Sequence, residues 1–103
     1  IMCIPNNGSI NGLRDDDVVE ITCDVNADGC TPHRIGDVDE QNLELIRRVK
    51  IYERLSSKAI REKDKAAAVQ ALTLHPLVNS YSLAKELVDE FIEHNKNYSD
   101  GWK

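Results

Sequence analysis

The sequence predicts an α+β fragment made of one β-hairpin and three amphipathic helices. Two patterns support this class. Apolar and polar residues alternate from Val19 to Val25, which is the period of a half-buried strand. From Asp37 to Glu62, and twice more after it, apolar residues recur every three or four positions, as on one face of a helix. A chain of 103 residues suits one domain with a modest core.

The composition is that of an ordinary globular protein, and its charge excludes two classes of partner. Hydrophobic residues make up 41% and charged residues 30%, with a formal net charge of -5. An acidic chain lacks the basic face that nucleic acids and anionic membranes require, so neither is expected to bind. No apolar run reaches ~18 residues and no basic-then-apolar leader is present, which predicts a cytoplasmic protein without a membrane span.

Strands and turns are predicted for the first part of the chain. Ile1 to Ile4 is an apolar run stopped by a proline, and it has no evident partner, so we expect it to need a sheet supplied from elsewhere. Because such a run resembles a strand interior, we expect the chain to be a piece of a longer protein. Asn26 to Gly29 predicts a hairpin turn, and Cys30 to Ile35 predicts a return arm that its proline confines to an edge or leaves partly irregular.

The longest helix is predicted from Asp37 to Glu62, fraying near Lys63. Asp37 stands three residues before Glu40, as in a capping box, and Asp39 is a rival cap. One face is apolar and is expected to be covered; it comprises Leu45, Ile46, Val49, Tyr52, Leu55 or Ser56, Ala59 and Ile60.

Two shorter helices are predicted to follow. Asp64 caps the first, from Lys65 to Leu74, which ends before a proline. Asn79 or Ser80 caps the second. The expected buried residues are Ala68, Ala71, Leu72 and His75 in the first helix, and Leu83, Ala84, Leu87, Val88 and Phe91 in the second. The polar tail that follows, with Tyr98 and Trp102, is expected to be frayed or docked on a partner.

A metal site and a thiol nucleophile are the chemical alternatives that the residues offer. Cys23, Cys30 and His33, with Cys3 as a fourth ligand, suggest zinc, but six residues separate the first two cysteines where about two to four are usual. Cys30 and His33 as nucleophile and base lack an orienting third group. Three cysteines without secretory signs favour reduced thiols. No glycine-rich dinucleotide motif occurs.

Several separate motifs together resemble the C-terminal region of the family 4 glycoside hydrolases. Their order is preserved across nearly the whole chain. The stretch Leu74-His75-Pro76-Leu77-Val78 is most similar to the 6-phospho-β-glucosidase members, and Arg14 stands where a proline is usual. The motifs are Pro5-Asn6-Asn7-Gly8-Ser9-Ile10-Asn11-Gly12-Leu13, Val18-Val19-Glu20-Ile21, Tyr52-Glu53-Arg54-Leu55, Gln70-Ala71-Leu72-Thr73-Leu74-His75-Pro76-Leu77-Val78 and Ala84-Lys85-Glu86-Leu87-Val88-Asp89-Glu90.

The resemblance implies that residues 1–103 are the C-terminal, substrate-half portion of a longer glycosidase. Its fold is expected to be part of a lactate/malate-dehydrogenase-like C-terminal domain, with the N-terminal Rossmann domain absent from this chain. Family members depart from the two-carboxylate mechanism: NAD⁺ oxidises the sugar at C3, the aglycone is eliminated, water adds, and the ketone is reduced. A divalent metal, typically Mn²⁺, polarises the C3 oxygens.

The resemblance also implies what this chain lacks. The principal catalytic, nucleotide-binding and metal-binding groups belong to preceding regions, so no cofactor or metal is expected here and the chain alone is expected to be inactive. The expected substrate of the parent is a 6-phosphorylated β-glucoside disaccharide, and the parent is expected to be a homo-oligomer.

Three residues are candidates for contact with the substrate, namely Asn6, Asn7 and Gly8. Two amides at this loop can hydrogen-bond a sugar or close the mouth of a pocket, whereas the simpler interpretation is a tight turn between strands. The alternative function is a non-catalytic helical module that binds a partner protein through its amphipathic faces.

Overall fold

A computed structural model describes all of residues 1–103 and divides them into two compact units, Ile1–Glu44 and Leu45–Lys103. Four strands precede three helices, which confirms the predicted α+β class. None of the helices is both long and apolar enough to cross a membrane. The elements are β1 (Met2–Pro5), β2 (Val18–Ile21), β3 (Cys23–Asn26), β4 (Gly29–Pro32), α1 (Glu40–Glu62), α2 (Lys65–Leu74) and α3 (Tyr81–His94).

The opening strand has a partner inside the chain. β1 pairs antiparallel with β2, and the register places Met2 opposite Ile21 and Pro5 opposite Val18. The expectation that this strand needs a sheet from elsewhere is therefore wrong. The pairing escaped the sequence analysis because the loop between the strands is closed by a non-local bond, in which the N–H of Asn6 donates to the carbonyl of Asp17 over 2.8 Å.

The alternating stretch forms two strands rather than one. β2 belongs to the sheet with β1, whereas β3 pairs antiparallel with β4 in a second two-stranded sheet. Because the chain changes partner between Ile21 and Cys23, the ladder breaks at Thr22. The predicted hairpin is confirmed, with Asn26 opposite Gly29, but its return arm ends at Pro32 and not at Ile35.

The first unit has a small core beneath β2. Ile10, Val19 and Ile21 are buried together, and half-buried residues from the flanking loops and strands pack against them. An isolated parallel bridge joins Ile10 to Gly36, which ties the long loop after β1 to the segment that leads into α1. The half-buried residues are Ile4, Leu13, Cys23 and Val38.

Helix α1 begins at Glu40, so Asp37 does not cap it. The carboxylate of Asp37 instead accepts a hydrogen bond from Asn11 Nδ2 at 2.7 Å. Asp39 directly precedes the helix, and its carbonyl accepts the first-turn bond from the N–H of Leu43. The expected apolar face is only partly covered: Ala59 is buried, but 61% of Ile60 remains exposed.

The caps of α2 and α3 confirm the predictions. Asp64 accepts from the N–H of Ala67 at 3.0 Å, and the Ser80 hydroxyl accepts from the N–H of Leu83. Between the two helices lies a core of buried and half-buried residues, and Phe91, expected in it, is exposed. The core comprises Val69, Ala84 and Val88, with Ala68, Leu72, Val78 and Ile92 packed against them.

The C-terminal tail docks on the helices of its own unit, so the expectation of a frayed tail is wrong, and contact of the tail with a partner stays a prediction. The N–H of Lys103 donates to the carbonyl of Lys63, and its carbonyl accepts from the N–H of Lys65. The Ser99 hydroxyl lies within hydrogen-bond distance of Lys63 Nζ and Trp102 Nε1. Lys63 Nζ also lies 5.6 Å from the centre of the Trp102 ring, a cation–π distance.

Candidate functional site

The candidate loop begins where β1 ends and turns tightly. Asn7 and Gly8 both have positive φ, 40° and 77°, and the N–H of Ser9 donates to the carbonyl of Asn6 at 2.7 Å. Two left-handed residues inside such a bond are typical of a type I′ turn, for which Asn-Gly is the favoured pair. The tip of this turn, Asn7 and Gly8, is exposed.

Asn6 holds the loop from inside. Its side chain is completely buried, and it is the largest side chain in the chain of which this is true. Its Oδ1 accepts from the N–H of Ile10 at 2.8 Å, while its Nδ2 donates to the carbonyl of Ile10 at 3.1 Å and makes a longer contact with that of Leu13. The amide therefore satisfies backbone groups that no ladder reaches.

Backbone bonds brace the same loop on two further sides. The N–H of Asn7 donates to the carbonyl of Asp15 at 3.1 Å. The buried Ser9 accepts at its carbonyl from the N–H groups of both Ile35 and Gly36, each at 2.9 Å. The turn from Asn6 to Ser9 is thus fixed at both ends, and within it only the tip faces solvent.

Gly8 stands in open space. A Cβ built at this position meets no other atom within 4 Å, so glycine is favoured by its φ of 77° and not by crowding inside the chain. Asparagine tolerates the same left-handed region better than other side chains do. A group that approaches the tip from outside can therefore come close to the backbone of Gly8.

Arg14 stands where the resemblance led us to expect a proline, and it makes a bond that proline cannot make. Its N–H donates to Asp17 Oδ2 at 3.1 Å, and its guanidinium forms two 2.9 Å bonds with the carboxylate of Asp16. The local turn is therefore preserved, and the acidic run here is bound within the chain.

The cysteines and His33 do not assemble a metal site. All three cysteines are free thiols, and no group of three or more side chains in the structure is arranged to hold a metal ion. His33 Nε2 instead lies 2.9 Å from Asp24 Oδ2. Cys23 and Cys30 lie on neighbouring strands, and burial, together with a hydrogen bond that the Cys23 thiol donates to Cys30, raises the pKa of Cys23. The zinc alternative therefore has no ligand set.

No nucleotide cradle is formed either. Gly8 and Gly12 both lie in the loop between β1 and β2, and no helix opens after them to present its N-terminus to a phosphate. Gly8 and Gly12 therefore do not form a glycine-rich phosphate loop.

The second unit contains an apolar cavity of about 340 Å³ that the sequence analysis missed. It is lined from α1, α2, α3 and the tail, with the aromatic rings of Tyr52, Phe91 and Trp102 among its walls. The helical periodicity of α1 and α3 indicated the two faces, but the docking of Trp102 depends on the tail, for which the sequence carries no comparable pattern.

The chain resembles known proteins over almost its entire length. Residues 1–78 match the family 4 glycosyl hydrolase C-terminal domain. The 6-phospho-beta-glucosidase BglT of Thermotoga maritima is 41% identical over 93 residues, which is 90% of this chain and 22% of that protein. The chain spans about a fifth of the length of the curated relatives it matches.

Solved structures of related enzymes also superpose on almost the whole chain. A 6-phospho-alpha-glucosidase from gut microorganisms, in complex with NAD and Mn²⁺, superposes with a TM-score of 0.92 at 30% identity, over 98% of this chain and 23% of that one. The Thermotoga maritima 6-phospho-beta glucosidase with NAD and glucose-6-phosphate gives a TM-score of 0.84 at 39% identity, over 95% and 24% of the two chains.

Proposed function

The chain belongs to family 4 of the glycosyl hydrolases, and we propose that it is the C-terminal, substrate-half portion of a 6-phospho-β-glucosidase. The Rossmann half of that enzyme lies outside these residues. The observation that carries this proposal is the match of residues 1–78 to the family's C-terminal domain. The relatives' greater length supports a longer parent, which we place in the cytoplasm as a homo-oligomer.

The parent is proposed to hydrolyse 6-phosphorylated β-glucosides with the help of NAD and Mn²⁺. Both groups are present in a solved structure of a relative. The residues of this chain fit neither group, since they form no metal-ligand cluster and no phosphate-binding helix N-terminus. We therefore assign the redox and metal chemistry to the rest of the parent, and expect this chain alone to be inactive.

The choice of the β anomer is the finer part of the proposal. It is supported by the stretch Leu74-His75-Pro76-Leu77-Val78 and by the 41% identity to a relative named as a 6-phospho-beta-glucosidase. The close superposition on a 6-phospho-alpha-glucosidase shows that the fold of this portion is common to enzymes named for either anomer.

Within the parent, this chain is proposed to supply the Asn6-Asn7-Gly8 loop at the mouth of the substrate cleft. The support is the geometry of the loop: a braced turn whose tip alone faces solvent. The amide of Asn7 carries both a donor and an acceptor, which suits the hydroxyl groups of a sugar.

A non-catalytic helical interaction module remains the second candidate. It is favoured by the exposed apolar residues on α1 and α3, among them Ile60 and Phe91. Those same residues are also expected to be exposed when a domain is separated from the rest of its enzyme.

Chimeric enzymes test the proposal. The matching C-terminal part of the Thermotoga maritima 6-phospho-beta-glucosidase, and separately that of the gut 6-phospho-alpha-glucosidase, is replaced by residues 1–103. Turnover of p-nitrophenyl 6-phospho-β- or 6-phospho-α-glucoside is then measured with NAD⁺ and Mn²⁺. We expect an active β chimera and a weaker α chimera. Two folded but inactive chimeras would contradict the assignment, and equal function in both hosts would contradict the β preference.

A further inference from the structure

We infer that Asn6 is a positioning residue: it fixes the Asn7–Gly8 tip, and the tip makes the contact with the phosphorylated sugar. This inference rests on the proposed function. It divides the three candidate residues into two roles, because the side chain of Asn6 is completely buried while Asn7 and Gly8 are exposed.

The side chain of Asn6 is completely buried and its amide is engaged inside the chain, so it does not reach a ligand. Both hydrogens of its amide point to carbonyls, those of Ile10 and Leu13, and its oxygen accepts from the N–H of Ile10. The backbone of Asn6 is also engaged on both sides, by Asp17 and by Ser9. Removing the side chain would leave buried N–H and C=O groups without partners, at the base of the turn.

The tip depends on that base for its shape. Asn7 and Gly8 both occupy the left-handed region, which isolated residues populate sparsely, and the Ser9 to Asn6 bond that closes the turn starts from the same residue. A side chain that fixes Asn6 therefore fixes the direction in which the Asn7 amide and the Gly8 backbone are presented. Such preorganisation lowers the entropy that a ligand contact must overcome.

A purely structural role for Asn6 predicts a different effect on substrate binding, so experiment can separate it from a positioning role. If the loop only links β1 to β2, changes at its tip should leave substrate binding untouched. Gly8→Asn is the informative change, because asparagine tolerates a left-handed φ better than other side chains do, and a Cβ at this position meets no atom of this chain within 4 Å. It therefore alters the surface that faces outward, and the melting temperature of the variant measures the backbone strain that the new side chain adds.

The experiment uses the active β chimera and measures kcat, KM for the 6-phospho-β-glucoside, and melting temperature. Gly8→Asn is expected to raise KM about tenfold with kcat nearly unchanged, as expected when a contact to bound substrate is disturbed. Asn7→Gly, which keeps the positive φ, is expected to do the same. Val88→Ala, a buried change in the second unit, is the control that lowers stability without approaching the loop.

Asn6 itself is tested by a double-mutant cycle. Asn6→Ala is expected to raise KM, and to add little further when Gly8→Asn is already present, because both act through the same tip. Where Asn6→Ala does not fold, the nearly isosteric Asn6→Asp replaces it. An Asn6 variant that lowers the melting temperature as Val88→Ala does, with KM unchanged, would overturn the inference. An inactive but folded parent chimera would instead overturn the proposed function.

Discussion

At the scale of single residues, buried polar side chains decide the conformation of the first unit. The sequence singled out Asn6, Asn7 and Gly8 as one loop, and the positive φ of the last two was foreseeable because Asn-Gly favours such turns. The burial of Asn6 was not foreseeable. Its partners, Ile10 and Leu13, lie in an irregular stretch that has no period, so no pattern marked its amide as internal.

An ion-pair cluster between α2 and α3 should make stability depend on pH. Asp89 lies 2.5 Å from Lys65 Nζ and 3.1 Å from Lys85 Nζ. Hydrogen bonds from Lys65 and then Lys85 lower the pKa of Asp89 below its ordinary 3.8, and the bond to Asp89 raises the pKa of Lys85 above its ordinary 10.5.

The direction of each pKa shift determines how stability changes with pH. Because the pKa of Asp89 is depressed in the folded state, its contribution is complete above pH 3.8 and is lost as the pH falls through the lowered value. Because the pKa of Lys85 is raised, its contribution is complete below pH 10.5 and is lost as the pH rises further. Melting curves of Asp89→Asn against wild type should therefore differ most between these limits. A difference that persists unchanged well below pH 3 would contradict this account.

At the scale of elements, local sequence signals predicted the helices but did not predict the non-local pairing of the strands. α2 and α3 begin after Asp64 and Ser80, whose side chains cap within three residues, so a short window of sequence contains the whole cause. The β1–β2 pairing depends on residues separated by a long loop, and the break at Thr22 depends on a change of sheet. Neither the β1–β2 pairing nor the change of sheet at Thr22 leaves a mark on the alternation of apolar and polar residues in the sequence.

The cap of α2 gives a quantitative test at this scale. Asp64→Ala removes the acceptor for the N–H of Ala67 and should lower the free energy of unfolding by about 1 kcal/mol. Gln70→Ala, an exposed change in the same helix, should stay within about 0.5 kcal/mol of wild type. Chemical denaturation of both variants measures the difference, and equal stability of the two would refute the assigned cap.

At the scale of the whole molecule, many large apolar side chains remain in water. Phe91 is 55% exposed, and Leu77 and Tyr98 are almost fully exposed. A chain with its own two small cores and so much uncovered apolar surface is what the proposed origin in a larger enzyme leads one to expect. The opening strand, which the sequence analysis expected to be without a partner, pairs with β2 along one of its edges.

The isolated chain should therefore self-associate. Sedimentation velocity at rising protein concentration is expected to show species larger than the 11.6 kDa monomer. Phe91→Glu, which places a charge on exposed apolar surface, should shift the distribution toward monomer, whereas Glu86→Gln, an exposed polar change on the same helix, should not. A wild-type chain that stays monomeric throughout would argue against an interface on these helices.

Complementation of enzyme activity tests most directly whether this chain is the C-terminal portion of a longer 6-phospho-β-glucosidase. Residues 1–103 are mixed with the Thermotoga maritima 6-phospho-beta-glucosidase from which the matching C-terminal part has been removed, and hydrolysis of p-nitrophenyl 6-phospho-β-glucoside is followed with NAD⁺ and Mn²⁺. The account predicts no turnover by either part alone and measurable turnover by the mixture. Turnover by residues 1–103 alone, or a mixture that forms a complex and remains inactive, would contradict it.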